Sequence, residues 1–268
     1  MSVVWSMVAG VIDDRRGILY PQRMPRFQRL APPPDAADLI AWLWIPEWDL
    51  EPGEVLRQEV VAYPALNLVV EPSGVQLVGA TTAVSYRELA GRGWAVGALL
   101  RPAGVAAVAA QPDQLRDAAV ELHAPELRDA VAQVMDGVGD DRASLAAQIV
   151  SRWLVERAGD VSEAAQQANA MSELLMTDAE VRTTEQAAAR LAVSQRTLQR
   201  MTHRYVGVPP LAMIRRRRLQ EAAQRLRDDP SVDLAELAAE LGYADHAHLT
   251  RDFRLVLGLA PSAYRRDF

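Results

Sequence analysis

The stretch LAAELGYADHAHLTRDFRLVLGLAPSAYRR, residues 237–266, decides how this chain is read. It opens on a helical pattern, breaks at Gly242 and resumes as a second helix. Asp245 precedes that helix as a predicted N-cap, because a short acceptor side chain satisfies the free amides of a first turn. Leu249, Phe253 and Val256 recur at helical spacing and form the predicted buried face. His248, Thr250, Arg251 and Arg254 fall on the outward arc, and His246 is predicted nearer the buried edge. His246 and His248 are two of only four histidines in the chain. Two positions apart on a helix they diverge by about 200°, so they do not share a metal. A catalytic role needs a base orienting a nucleophile in a pocket, and the start of an exposed helix offers neither. Donors in the first turns of such a helix fit contact with DNA; the alternative is a solvated face.

The pattern has an earlier copy. Leu198, Arg200, Gly207 and Pro210 recur as Leu249, Arg251, Gly258 and Pro261, all at an offset of 51, while Leu191 and Leu241 are 50 apart. One supersecondary unit is therefore used twice, with one residue added near the second turn. In the first copy TEQAAARLA leads to Ser194, the predicted N-cap of QRTLQRMTHRYV. Leu198, Met201 and Tyr205 are its predicted buried face. Arg196, Gln199, Arg200, His203 and Arg204 point the other way, and Ser194 and Gln195 begin the same surface. Between the copies, PPLAMIRRRRLQEAAQRLRDDP reads as a helix from Pro210 to before Pro230. About 19 residues at 1.5 Å each span about 28 Å, close to the roughly 34 Å between successive major-groove faces on one side of B-DNA. Arg215–Arg218 cover almost every side of this helix, so one of the four must point inward or pair with an acid. Arg218 is a candidate phosphate contact, which would position the protein without reading sequence.

These residues resemble the AraC-type (AraC/XylS) family of bacterial transcription regulators. The resemblance rests on LAVSQRTLQRMTHRYVGVPP, on the helix ending RRLQEAAQRL, and on the stretch quoted first; it covers about residues 181–268. It implies two helix-turn-helix units joined by a long helix. It implies bases read by Arg196, Gln199 and Arg200 in the first unit and by His248 and Arg251 in the second. Gly258, Pro261, Tyr264 and Arg265 resemble the family's closing segment. WLWIPEW, YPALNLVV and VGALLRPAG more distantly resemble a sensor-like β domain found before such DNA-binding domains. No arm-and-barrel motif of the sugar-sensing members carries over.

The chain has 268 residues, half of them hydrophobic, and no cysteine. That excludes disulfides, thiolate metal sites and cysteine nucleophiles. The net charge of −6 conceals a split. Residues 181–268 hold 15 Arg against 10 Asp and Glu, and residues 1–180 hold 14 Arg against 25. A basic end on an acidic body is suited to a polyanion at that end alone. The apolar start MSVVWSMVAGVI lacks a basic lead and a cleavage site, and is read as strand or core. No apolar run is long enough for a bilayer span, so the expectation is a cytoplasmic protein that engages no membrane.

Residues 37–101 alternate short β-rich runs with Pro and Gly punctuation, the pattern of a small barrel or sandwich. Helices follow from about 113. In DDRASLAAQIVSRWLVERA, Leu145, Ile149 and Trp153 share one predicted face. The expected fold class is α+β: a small N-terminal β-barrel or sandwich with trailing helices (1–136), a helical connector (137–180) and an all-α C-terminal domain (181–268). The units of that domain are expected at about 184–206 and 233–257, with the joining helix at about 210–228. The connector either forms a dimer seam or packs on the β domain. Trp42 and Trp44 share one face of a strand and either wall a ligand site or pack in a core, the commoner fate. Arg101 either meets an anionic ligand or is a strand's polar end. His123 is read as a surface residue.

The expected function is sequence-specific binding of double-stranded DNA by a transcription regulator, activator or repressor. Its partners would be RNA polymerase at promoters, a small-molecule effector and a second copy of the chain. No cofactor or metal is expected. One alternative is an enzyme fused to such a domain. The alkyl-transferring kind needs an acceptor cysteine, which is missing here. The other is a helix-turn-helix turned protein-interaction module, against which the basic outward faces count.

Overall fold

The computed structural model describes residues 26–60 and 64–267. The predicted strand or core at residues 1–12 lies outside them. Among the described residues, β1 (Arg26–Leu30), β2 (Ile40–Asp49), β8 (Val96–Leu100), β4 (Asn67–Glu71), β5 (Gly74–Val78) and β9 (Ala119–Glu121) line up in that order. β7 (Arg92–Trp94) also pairs with β2, completing a seven-stranded antiparallel sheet. β3 (Val55–Val60) and β6 (Ser85–Ala90) form a separate two-stranded ribbon.

Side chains alternate across a strand, and β2 shows the consequence. Leu43 and Ile45 are buried on one face, with Leu68 and Val70 of β4 and Ala98 and Leu100 of β8. Three helices cover that face: α1 (Pro102–Val108), α2 (Pro125–Met135) and α3 (Arg142–Ala158). Trp42, Trp44 and Trp48 occupy the other face. The ribbon is tied to that side, where Arg87 pairs with Glu71 and the Trp48 indole donates to the Ala90 carbonyl at 3.2 Å. The alternating runs thus form a β domain as expected, as a separate ribbon beside an open sheet whose edge strands β1 and β9 do not pair with each other.

Helix α3 departs from expectation. Its buried residues are Ala143, Ala146, Ala147, Val150, Ser151 and Leu154, whereas Leu145 is 47% exposed. Ile149 and Trp153 are half-buried at the rim. The reason is steric: α3 is packed against α1, α2 and the sheet, and small side chains permit that approach where a Leu–Ile–Trp ridge would not. The predicted ridge is therefore a margin of the core and not its centre.

The C-terminal part comprises α5 (Thr184–Arg190), α6 (Gln195–Tyr205), α7 (Pro210–Asp228), α8 (Leu234–Glu240), α9 (His246–Leu257) and the short α10 (Pro261–Tyr264). α4 (Glu163–Thr177) precedes them and packs on α1, α6 and α7. One hydrophobic core runs from Ala36 to Ile214 and includes Leu198, Tyr205 and Val208. A second begins at Leu219 and ends at Tyr264. The packing thus divides inside α7, at Arg215–Arg218, and not near residue 180 where the composition changes. No helix among the described residues is long and apolar enough to cross a membrane.

Four residues separate α5 from α6 and five separate α8 from α9, which accounts for the 51 and 50 offsets. The turns need a left-handed residue at equivalent places. Gly242 supplies it at φ +74, but the first copy uses Ala192 at φ +53. A Cβ in that region costs about 1–2 kcal/mol. Ala192→Gly is therefore expected to stabilise the protein by about 0.5–1 kcal/mol, the relief of strain being partly offset by the freer unfolded chain; thermal unfolding of both proteins measures it.

Candidate nucleic-acid interface

Each reader helix begins at a satisfied cap. The Ser194 hydroxyl accepts from the Thr197 amide at 3.0 Å, and the Asp245 carboxylate accepts from the His248 amide at 2.7 Å. The helices before them are capped too. Thr183 and Gln186 form a reciprocal capping box on α5. The amides of Glu236 and Ala235 donate to Asp233 at the start of α8 and hold its carboxyl below the usual range. These caps fix where each reader helix starts, and hence which side chains its first turn presents.

On α6, Leu198, Thr202 and Tyr205 are buried, and Met201 is half-buried against the same core. Gln195, Arg196, Gln199, Arg200, His203 and Arg204 are all exposed. On α9, Leu249, Phe253 and Val256 are buried as predicted, joined by Asp252 and Leu257. Arg251 and Arg254 are exposed and Thr250 is half-exposed. The two histidines exchange their expected places. His246 is exposed, while His248 is half-buried, edge-on to Tyr243 with 5.1 Å between ring centres. Its Nε2 lies 3.9 Å from the Asp252 carboxylate. His246 sits at the first helical position, where the chain has just turned in from solvent, so the helix does not yet cover it.

The arginine run turns inward. Arg216 is 3% exposed and its Nη1 donates to the Val256 carbonyl at 3.3 Å. Burial pulls its pKa down to about 10, opposed by the field of Asp117, so it stays charged at neutral pH. Arg217 is 6% exposed and donates to the Val181 carbonyl at 2.7 Å. Arg215 pairs with Asp252 at 3.2 Å. Arg218, the expected phosphate contact, stacks 3.7 Å from the centre of the Tyr243 ring, and two of its nitrogens are shut off from solvent. Burial lowers the pKa of Arg217 and Arg218 and raises that of Tyr243 to about 12. A solvated face would have left these groups unperturbed. The run is a set of internal ties, and sequence reading missed Asp252 and Tyr243 as their partners. The clue available was position: Tyr243 follows the turn glycine and Asp252 lies four residues beyond His248, on its face.

The candidate ligand residues do not converge. The Trp44 indole donates to Asn67 Oδ1 at 3.0 Å, and its ring fills the space a side chain at Gly97 would need. The Arg29 guanidinium lies 4.7 Å from the centre of the Trp42 ring. Arg101 stands just before α1, its Nη1 3.7 Å from Glu173 of α4, on the helix-covered side away from both indoles. His123 is exposed, as its reading as a surface residue expects. Among the described residues no three acidic or histidine side chains are placed to hold a metal ion.

Two N-capped helices, each with an exposed basic arc and joined by a 19-residue strut, define a double helix-turn-helix domain. Residues 187–267 match the family described as "Helix-turn-helix domain", and residues 28–121 match a domain of unknown function, DUF6597. Proteins described as AraC-like transcription regulators from Streptomyces antibioticus and Streptomyces lividans are each 34% identical over 117 residues, 44% of this chain. The match spans 37% and 36% of those relatives' own lengths. ToxT from Vibrio cholerae, in an apo crystal structure, is 12% identical with a TM-score of 0.44, covering 84% of this chain and 97% of that one. The C-terminal domain of AraT from Geobacillus stearothermophilus is 23% identical with a TM-score of 0.36, covering 40% and 89%. Residues 187–267 are thus a helix-turn-helix domain by family match, and 117 residues of the chain are similar to AraC-like transcription regulators.

If the arginines are ties, Arg216→Ala will destabilise the fold by about 1–3 kcal/mol, the usual penalty for stranding a buried hydrogen-bonding group. Arg196→Ala on the exposed arc will leave stability within about 0.5 kcal/mol. Denaturant unfolding of the two variants separates tie from surface.

Proposed function

We propose that the chain is a transcription regulator that binds double-stranded DNA sequence-specifically through α6 and α9. The observation that carries the reading is the pair of matched basic arcs. Arg196, Gln199 and Arg200 on one helix and Thr250, Arg251 and Arg254 on the other are open to solvent. Among the described residues Arg196, Arg200 and Arg251 make no ion pair, although the chain has more acids than bases. Arginines withheld from available carboxylates are disposed for an external polyanion. A strut of about 28 Å places the two arcs within reach of successive major grooves.

In this reading Arg200 and Arg251 read base edges, with Gln199, His248 and Thr250 beside them. Ser194, Gln195, His203, Arg204, His246 and Arg254 contact backbone or flanking bases. Arg218 acts from within, through Tyr243. The N-terminal domain supplies control, by an effector or by pairing with a second copy, and RNA polymerase is the partner at a promoter. The protein-interaction alternative is disfavoured by the lack of an exposed Trp, Tyr or Phe on either arc, since such aromatics are among the usual interface anchors; the large apolar side chain that α9 exposes is Leu255.

Neutralised phosphates release counterions, so affinity for a selected site is expected to fall steeply and linearly on a log–log salt plot. Arg200→Ala and Arg251→Ala should each weaken specific binding by about 1–3 kcal/mol, roughly 5- to 150-fold, with unfolding unchanged. Titration of full-length protein at several salt concentrations tests this. Unaltered affinity in both folded variants would remove the assignment of the two arcs as the reading surface.

A further inference from the structure

We infer that the N-terminal domain clamps both helix-turn-helix units at equivalent points of the repeat, and so sets the distance and tilt between the two reader helices. The inference rests on the DNA-binding reading above for its consequence, but the contacts stand by themselves.

The equivalent points are Gly207 and Gly258, each just past the end of its reader helix, at φ +86 and +80. Their amides close the last helical turns, Gly207 donating to the Thr202 carbonyl at 2.9 Å and Gly258 to the Arg254 carbonyl at 3.0 Å. Both are overlaid by the N-terminal domain. A Cβ on Gly207 would run into the carbonyl oxygen of Pro112, in the 3-10 turn Pro112–Leu115. Beside it, Asp113 Oδ2 lies 3.6 Å from Nε2 of His203. A Cβ on Gly258 would stand 3.2 Å from Val84 Cγ1 and 3.5 Å from the Tyr86 hydroxyl. Glycine is thus favoured twice over at each place, by backbone angle and by close approach.

The two prongs are fastened to each other. Asp117 accepts hydrogen bonds from the Thr82 amide at 2.6 Å and the Thr82 hydroxyl at 2.7 Å. It does so at φ +58, a conformation few non-glycine residues adopt. Residues 82–86 and 112–117 therefore form one body that touches both units. The Asp117 charge also acts on Arg216, whose Nη1 holds the Val256 carbonyl two residues before Gly258. A displacement of this body would shift both readers, and the second unit, whose core is separate, has less else to hold it.

The test uses the full chain and the double variant Val84→Asp with Asp117→Gly. Glycine accepts the backbone angle at 117 while removing the carboxylate, and Val84→Ile serves as a contact-preserving control. Hydrogen exchange reads the clamp without DNA. The amides of Gly207 and Gly258 should exchange on the order of tenfold faster in the double variant, with those of α5 and α8 unchanged. Unchanged exchange at both glycines in a folded variant would overturn the clamp. DNA reads the consequence. Sites selected from a random library, with one base pair inserted between the two contacted segments, should be rejected about tenfold or more by the wild type and only a few-fold by the double variant. Equal rejection by both proteins would overturn it as well. Should no library sequence bind the wild type, the DNA-binding reading fails, and the exchange result alone decides the clamp.

Discussion

The structure turns on four consecutive arginines in the middle of α7. Each leaves the helix in a different direction and ends on a different partner: Arg215 on Asp252, Arg216 on the Val256 carbonyl, Arg217 on the Val181 carbonyl, Arg218 on the Tyr243 ring. They occupy the gap between two hydrophobic cores, one ending at Ile214 and the other beginning at Leu219. Burying a guanidinium is unfavourable unless its charge and donors find partners. The partners here come from both sides of the gap, so the orientation of one unit against the other is tied to satisfying them. Apolar residues would have fused the cores with less directional preference; directional donors specify an angle.

The two helix-turn-helix units are alike in sequence pattern but not in mechanical standing. The first shares its core with the β domain through Leu198, Tyr205, Val206 and Val208, against α1 and α4. The second has its own core and reaches the rest of the protein through α7, the arginine ties, Arg182 against Gly242 and the contact at Gly258. In the first unit the Ala192 strain is tolerable because the surrounding core is large. The second turn has glycine at that place, and the Arg182 side chain lies close against it.

The repeat, the caps and the buried faces of α6 and α9 were legible from residues alone, because capping and helical spacing act within a few positions of sequence. Ser194 and Asp245 are caps whatever surrounds them. The errors share a cause: each depended on what lay across the fold. Leu145, Ile149 and Trp153 have the spacing of a buried ridge, yet the close approach beside α3 favours alanines. His246 and His248 differ by which of them meets Tyr243, a contact that depends on the turn. Helical geometry turns at least one of Arg215–Arg218 inward or onto an acid, and arginine is usually exposed; only the positions of Asp252, Val256, Val181 and Tyr243 reveal that all four are engaged. In the β domain the alternation identified the strands, but not that the Trp44 indole is already engaged by Asn67.

The distribution of arginine follows from these constraints. The exposed arcs of α6 and α9 carry arginines that make no internal ion pair among the described residues, while the same residue type in the middle of α7 is committed within. A chain whose basic residues are all arginine has one side chain for both tasks, and its planar fork suits each: fixed hydrogen bonding to carbonyls and aromatic stacking inside, bidentate recognition of phosphate or guanine outside. Lysine in the inner positions would keep the charge but lose the stack on Tyr243 and the directed donors to Val181 and Val256. The inner arginines thus govern where the outer ones point. Affinity for a polyanion can be spread over many exposed cations, but discrimination between sequences needs those cations in register with bases on two grooves at once. In the proposed DNA-binding reading that register depends on the ties in α7 together with the N-terminal contacts at Gly207 and Gly258, all of them away from the reading surface.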